Sequence, residues 1–265
     1  MSQPTINASG TGGLAGRVSS AIQLASARTG VDFSYLFNQA RIESGLNPNA
    51  RARTSSATGL FQFIDQTWLA TVHEHGAEHG LGWAAGAIQR GSNGRYHVAD
   101  PAMRRAILDL RRQPEAASAM AAEFASDNRA YLERRLGRTA EPVDLYLAHF
   151  LGAGGASRFL AAHDANPNAS AAAVMPSAAR ANRWVFYNRN GTPRTLDQVR
   201  ERFAEKMGGD STRPDSSMPP IAPPSESSTL RLAAMQNRSQ SNPAAAGPSP
   251  QYARLAYLML AELGG

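Results

Sequence analysis

The chain has 265 residues, a formal net charge of +6 and no cysteine. This length can bury a sizeable core in one large domain or two small ones. Without cysteine the chain forms neither disulfides nor thiolate metal sites. The basic balance predicts an anionic partner, which could be nucleic acid, a membrane surface or the acidic peptides of a cell wall.

The first residues, MSQPTINASGTGG, have neither a basic start nor an apolar core, so we expect no Sec signal peptide. No later stretch is apolar for long enough to cross a bilayer, which predicts no membrane span. Residues 1–12 are rich in small polar residues and are predicted to be disordered. Apolar residues at helical spacing then predict a first helix that ends at Gly30 and packs on the next one.

The second predicted helix carries one carboxylate near its end. It follows Asp32, a suitable N-cap, and stops at Gly45, so Glu43 falls in the last turn. The exposed carbonyls of a helix end disfavour a negative charge, and an apolar surrounding favours a protonated carboxyl group that can donate a proton. The alternative is a surface glutamate paired with a nearby arginine.

A polar loop and a Gly-Leu-Phe-Gln segment follow this helix. The informative pieces, in order, are Glu43-Ser44, Asn47-Pro48, Ala57, Gly59-Leu60-Phe61-Gln62 and Thr67-Trp68. Their order and spacing resemble the soluble lytic transglycosylase family, whose signature is Glu-Ser, then Asn-Pro, then Gly-Leu-Met-Gln.

The resemblance covers roughly residues 14–207 and implies a mainly α, lysozyme-like domain with a small β-hairpin or loop wall. It implies that Glu43 protonates the glycosidic bond between MurNAc and GlcNAc in peptidoglycan. Glu43 then removes the proton of the muramoyl C6 hydroxyl, so that 1,6-anhydromuramoyl products form without a cofactor or a metal. Family members line the saccharide cleft with the residues that match Ser44 and Gln62; with the adjacent Phe63 they are candidate substrate-binding residues.

A second match to the family lies further along the chain. Ala148-His149-Phe150-Leu151-Gly152 stands where the family has Ala-Tyr-Asn-Ala-Gly, whose tyrosine lies near the catalytic carboxyl group. His149 takes the place of that tyrosine and could bond to Glu43 or to a sugar. Tyr146, one turn earlier, offers a hydroxyl, so both are candidate substrate-binding residues. The alternative for His149 is a core histidine that bonds to backbone.

A histidine cluster lies in the helix that follows Asp65, a candidate N-cap. The span from His75 to His79 fits the H-x-x-E-H pattern of inverted zinc metallopeptidases. However, Gly76 weakens the helix, Gly80 can end it, and no obvious third ligand follows in the sequence. We therefore interpret these histidines as part of a solvated helix face and expect no metal site.

Residues 91–97 predict a β-hairpin with an Asn93-Gly94 turn, a candidate wall of the cleft. Asp100-Pro101 then opens a helix, and Pro114 opens a longer one that ends near Gly137. The arginines of this region are interpreted as solvated surface, because no DNA-binding motif accompanies them and we expect no nucleic acid partner. They are Arg104, Arg105, Arg111 and Arg112.

The predicted domain, residues 13–207, closes with a helix that Thr195 and Gln198 cap reciprocally. Residues 208–249 are rich in Pro, Ser and Ala and are predicted to be a disordered linker. Residues 250–265 have one strongly apolar helical face. We expect this short helix to bind a protein partner; docking on the domain and an export signal are the alternatives.

The sequence thus predicts a lytic transglycosylase for cell-wall remodelling that could open the wall for a flagellar or secretion apparatus. Its expected place is the periplasm or cell wall, reached by a route other than a Sec signal. One alternative is a hydrolytic muramidase, which needs a second carboxylate such as Asp65 or Asp100. The other is a non-catalytic wall-binding or assembly protein of a secretion machine.

Overall fold

The computed structural model describes residues 10–53 and 55–208, with side chains from residue 13 onwards. This part of the chain is mainly helical, as the sequence predicts, and includes a small two-stranded antiparallel sheet. The linker after residue 208 and the amphipathic helix predicted over 250–265 lie outside the described residues.

The described helices follow one another with short connections. In chain order they are α1 (Gly10–Thr29), α2 (Phe33–Ser44), α3 (Asp65–His75), α4 (Gly82–Ala87), α5 (Pro101–Asp109), α6 (Pro114–Leu136), α7 (Pro142–Leu151), α8 (Ala153–Ala165), α9 (Ala171–Val174), α10 (Pro176–Ala181), α11 (Arg183–Phe186) and α12 (Leu196–Gly208). Short 3-10 helices cover Gly76–His79 and Leu110–Arg112. The strands are β1 (Gln89–Arg90) and β2 (Tyr96–His97).

Helix α6 is the element on which α1, α3, α7 and α8 pack. Many of its buried positions are alanines, and such small side chains let neighbouring helices approach closely. Met120 and Leu132 fill the remaining space as fully buried side chains. Helix α3 also contacts α5, where the buried indole of Trp68 in α3 donates a hydrogen bond to the Ile107 carbonyl of α5 at 2.7 Å.

The ends of several helices confirm the sequence signals. Asp32 accepts a hydrogen bond from the Tyr35 amide at 2.8 Å, and Gly45 ends α2 in the left-handed conformation. The reciprocal cap of Thr195 and Gln198 is also present. Helix α1, however, begins at Gly10, inside the segment predicted to be disordered, because extending an existing helix by one turn costs little.

A hairpin is present as predicted, but its first strand, Gln89–Arg90, begins before the predicted residues 91–97. Gln89 lies opposite His97 and Arg90 opposite Tyr96. Gln66 of α3 ties it to the helices, since its side-chain amide bonds to both the carbonyl and the amide of Tyr96, at 2.9 and 3.0 Å. The role of the hairpin as a cleft wall stays a prediction.

The start of α3 corrects two expectations. Asp65 is the first helical residue and Ile64 the N-cap, so the predicted cap is wrong. The Asp65 carboxylate instead accepts from Arg104 at 2.6 Å and from Arg111 at 2.9 Å. Arg111 is buried rather than solvated; burial lowers its pKa, and the charge of Asp65 opposes that change. A buried ion pair therefore joins α3 to the 3-10 helix that contains Arg111.

The structure shows why the Gly-Leu-Phe-Gln segment begins with a glycine, Gly59. Its φ of +86° is unfavourable for other residues, and a Cβ there would lie 1.9 Å from the Arg111 carbonyl oxygen. The segment can thus pass directly over the backbone of Arg111 only without a side chain at this position.

Candidate active site

Glu43 lies in the last turn of α2, and only 1% of its side chain is exposed. Its Oε1 atom lies 3.0 Å from Nε2 of His149 on α7. Its Oε2 atom is buried and has no hydrogen-bond partner in the described part of the chain. The carboxyl group is therefore fixed through one oxygen while the other is left for a further partner.

The imidazole of His149 is oriented from two sides. Nε2 of Gln39 lies 3.5 Å from Nδ1 of His149. Because an amide nitrogen donates, Nδ1 accepts this bond, and Nε2 carries the hydrogen that is donated to Glu43. The ring also stacks on Tyr146, with centroids 5.9 Å apart and an interplanar angle of 14°. His149 was predicted either to bond to Glu43 or a sugar, or to be a core histidine that bonds to backbone. The structure contains the bond to Glu43.

Two buried tyrosines and one lysine surround this pair. Burial raises the pKa of Tyr35 and Tyr146, and the negative charge of Glu43 raises both further. Burial lowers the pKa of Lys206 to about 8, against an opposing effect of Glu43. Nζ of Lys206 lies 5.9 Å from the centroid of the Tyr146 ring. Lys206 thus adds a cationic group to the Tyr146 side of the site.

Sequence reasoning missed Gln39 and Lys206. Gln39 stands one turn before Glu43, so its place on the same face of α2 was readable from helical spacing. Lys206 has no such signal, because only the packing of α12 on α2 and α7 brings it near the site.

Three buried polar atoms of this site have no partner among the described residues: Oε2 of Glu43, Oε1 of Gln39 and the hydroxyl of Tyr146. Buried polar atoms almost always form hydrogen bonds, to protein or to water. Their concentration around one carboxyl group indicates a site that can bind hydroxyl or amide groups of a ligand.

The other candidates support the loop that follows α2. The Ser44 hydroxyl donates to the Leu60 carbonyl at 2.8 Å, and Nε2 of Gln62 donates to the Gly59 carbonyl at 2.8 Å. Gln62 has a positive φ of 47°, so these internal bonds hold an unfavourable backbone conformation. The hydrogen atoms that Ser44 and Gln62 were expected to offer to a sugar are engaged within the protein.

Phe63 is 7% exposed and packs edge-to-face on Trp68, with ring centroids 5.3 Å apart. Its ring also contacts Phe124 of α6. Phe63 is therefore part of the core beside the site, and its contact with a sugar stays a prediction.

The histidines around the end of α3 differ in their exposure. Only 6% of the His79 side chain is exposed, and its Nε2 atom bonds to Glu123 of α6. Gly76 ends α3, so the segment from His75 to His79 is not one continuous α-helix. Because α6 covers this side of α3, the interpretation as surface histidines is wrong for His75 and His79, which bond to carboxylates of α6. It is right for His73, which is exposed.

Part of the sequence matches a known family. The sequence model of the family described as Transglycosylase SLT domain matches residues 20–80, which include Glu43 and Gln62 and end before His149. The match supports a lysozyme-like domain and a peptidoglycan-cleaving function of the lytic transglycosylase type. None of the described helices has both the length and the apolar character needed to cross a membrane. The match over residues 20–80 thus supports the resemblance of this part of the chain to the soluble lytic transglycosylases.

Proposed function

We propose that this protein is a peptidoglycan lytic transglycosylase in which Glu43 is both the acid and the base. The observation that carries the proposal is the state of the Glu43 carboxyl group. One oxygen is held by His149 at 3.0 Å and the other has no partner in the described chain. Such a group is buried and oriented, and its second oxygen can exchange a proton with a ligand once the site opens.

In the first step, the protonated Oε2 of Glu43 donates its hydrogen to the glycosidic oxygen between MurNAc and GlcNAc. The bond from C1 of MurNAc to that oxygen breaks, and the 2-acetamido oxygen of the same sugar stabilises C1. In the second step, the Glu43 carboxylate removes the proton of the C6 hydroxyl, whose oxygen attacks C1. The 1,6-anhydro ring closes, Glu43 is protonated again, and no water is consumed.

His149 acts on Glu43 rather than on the sugar in this proposal. A hydrogen bond from a neutral Nε2–H stabilises the carboxylate that forms after the first step and keeps its orientation for the second. Tyr146 and Gln39 fix the imidazole and present their unpartnered polar atoms to the substrate. Ser44, Gln62 and Phe63 hold the loop beside the cleft.

The alternative of a hydrolytic muramidase lacks support from its two candidate carboxylates. Asp65 is neutralised by two arginines, and Asp100 caps α5 by accepting from the Ala102 amide at 2.8 Å. A second carboxylate that activates water needs a free oxygen near the sugar. Both groups are instead committed to the fold, which favours the mechanism with one carboxyl group.

Access to Glu43 requires a movement, because a side chain that is 1% exposed cannot contact a glycan strand. Helix α12 packs on both α2 and α7 and brings Lys206 near Glu43. We therefore include in the proposal a displacement of α12 that opens the site when the glycan binds.

The biological setting is part of the proposal. A peptidoglycan substrate places the enzyme in the periplasm or cell wall, where it would remodel the wall or open it for a flagellar or secretion apparatus. The segment 250–265 is proposed to bind a protein of that apparatus, since its apolar face suits a helix-binding groove.

The test is mass spectrometry of soluble products released from purified sacculi. The wild-type protein should release 1,6-anhydromuramoyl products, and Glu43→Gln, which keeps the shape but loses the proton donor, should release none. Glu201→Gln on the exposed side of α12 is the matched control and should behave as wild type. Reducing-end products would overturn the proposal in favour of a hydrolase. Absence of products from a correctly folded wild-type protein would favour the non-catalytic assembly role.

A further inference from the structure

A second polar cluster lies where the end of α3 meets α6. His75 ends α3, Glu78 belongs to the 3-10 helix that follows, and Glu123 faces both from α6. One ligand atom of each of these three residues lies within 4.8 Å of the other two. Nitrogen and oxygen donors from two separate segments thus converge on one point.

The ring of His75 is oriented as a metal ligand requires. Its Nε2 atom lies 2.9 Å from Oδ2 of Asp127, and its Nδ1 atom lies 3.7 Å from Oε2 of Glu123. When Nε2–H donates to Asp127, Nδ1 carries no hydrogen, and its lone pair points toward Glu123. A carboxylate that fixes the tautomer from behind is the usual companion of a histidine that binds a metal.

Glu123 is fixed in a corresponding way. Its Oε1 atom accepts a hydrogen bond from Nε2 of His79 at 2.7 Å, so its Oε2 atom is the one that faces His75. The His79 side chain is 6% exposed and that of Glu123 15%, so this bond is sheltered from solvent. Glu78 is exposed, and its side chain can rotate toward a cation without repacking the core.

We propose that His75 Nδ1, Glu78 and Glu123 bind a divalent transition metal ion, Zn²⁺ by the chemistry of the donors, with Asp127 and His79 as outer-shell residues. Imidazole and carboxylate are common zinc ligands, and a set of three leaves the fourth position to water. Bonds of about 2.0–2.1 Å bring tetrahedral ligand atoms to about 3.3 Å from one another. The mobile Glu78 supplies most of the contraction from the present spacing.

The ion would link the C-terminal end of α3 to α6. This end of α3 is followed directly by the 3-10 helix that begins at Gly76. This site differs from the H-x-x-E-H pattern of the peptidases, in which both histidines bind the metal and the glutamate is the base. Here His79 bonds to Glu123, and Glu78 is a ligand. The proposed role is therefore to stabilise the fold, and it does not depend on the cleavage of peptidoglycan.

The experiment is calorimetric titration of ZnCl₂ into the full chain after treatment with EDTA, with Co²⁺ absorption spectra as a second measurement. We expect one equivalent of Zn²⁺ to bind, a visible Co²⁺ band of a four-coordinate site, and a higher Tm with metal. His75→Ala and Glu78→Gln should remove this binding, and Asp127→Asn should weaken it by roughly 10- to 100-fold.

Glu78→Gln is the decisive variant, because the residue is exposed and the substitution leaves the packing intact. His97→Ala, which removes an exposed histidine of the hairpin, is the matched control and should bind Zn²⁺ as wild type does. The proposal is overturned if the wild-type chain binds no Zn²⁺, or if Glu78→Gln and His75→Ala bind it as the wild type does. Neither result bears on the release of products from sacculi, so this test is independent of the proposed enzymatic function.

Discussion

Nε2 of His149 lies 3.0 Å from Oε1 of Glu43, although 106 residues separate them in the sequence. Gln39 fixes the tautomer that donates this bond, and Tyr146 supports the ring by stacking. Residues 20–80 match the transglycosylase SLT domain model, and in the resemblance to that family His149 stands where the family has a tyrosine. An Nε2–H donor and a phenol hydroxyl can each donate to a carboxylate, so the exchange preserves a donor near the catalytic group.

The first prediction concerns this hydrogen bond. His149→Ala should lower kcat on sacculi by roughly 10- to 100-fold, because a hydrogen bond to a charged group contributes about 1.5–3 kcal/mol. KM should change little, since His149 orients Glu43 and does not bind the glycan. His149→Tyr should recover part of the lost rate by restoring a donor. Initial rates of muropeptide release measure both effects; an alanine variant with wild-type kcat would contradict the positioning role.

The second prediction concerns the pH dependence of stability that Lys206 causes. Its pKa of about 8 in the folded chain lies below the ordinary lysine value of 10.5, so the unfolded chain binds more protons between these two pH values. The cost of burying the charge is therefore fully present below pH 8 and is relieved as the pH rises towards 10.5. Lys206→Met should raise the free energy of unfolding at pH 7 by at most about 3 kcal/mol.

The attraction between Lys206 and Glu43 offsets part of that gain. Urea denaturation of both proteins at pH 7 and pH 10 measures the difference, which should be smaller at pH 10. A difference that stays constant or grows with pH would show that the ammonium group is not buried at a cost.

The third prediction separates the two arginines that contact Asp65. Asp65→Asn leaves the guanidinium of Arg111, whose side chain is 8% exposed, without its charge partner, and should cost about 3–5 kcal/mol. Arg104→Ala removes a partner that is 41% exposed and should cost about 0–1 kcal/mol. Denaturant midpoints of the two variants give the comparison.

The same variants test the alternative hydrolase. If Asp65 only stabilises the fold, the Asp65→Asn protein that remains folded should keep the specific activity of the wild type. A folded variant that has lost all activity would instead give Asp65 a chemical role.

The fourth prediction concerns Gly59. Gly59→Ala combines a positive φ with a Cβ that would lie 1.9 Å from a backbone oxygen, so the Arg111 backbone must shift. We expect a loss of more than about 2 kcal/mol in stability. Gly137→Ala is the matched control, because its φ is +69° and nothing lies within 4 Å of the added Cβ; it should cost about 1 kcal/mol. Equal melting temperatures of the two variants would contradict the close approach at Gly59.

Local signals in the sequence determined much of the fold around the site. Asp32 and Gly45 bound α2 as predicted, because side-chain caps and left-handed glycines act within one turn of the chain. The place of Glu43 in the last turn follows from the same two residues. The presence of the hairpin, though not its first strand, and the cap of α12 were readable for the same reason: their hydrogen bonds join near neighbours.

Tertiary structure decided what the polar side chains contact. Asp65 is a residue that a sequence pattern assigns to a helix cap, yet two arginines from 39 and 46 residues away take its carboxylate. Burial of Phe63, the approach of Lys206 to Glu43 and the convergence of Glu123 with His75 likewise depend on which helices pack together. The sequence by itself determined where the carboxyl group of Glu43 lies on its helix. Only the packing of α7 and α12 against α2 decided which groups surround it, because those contacts join residues that have no local relation along the chain.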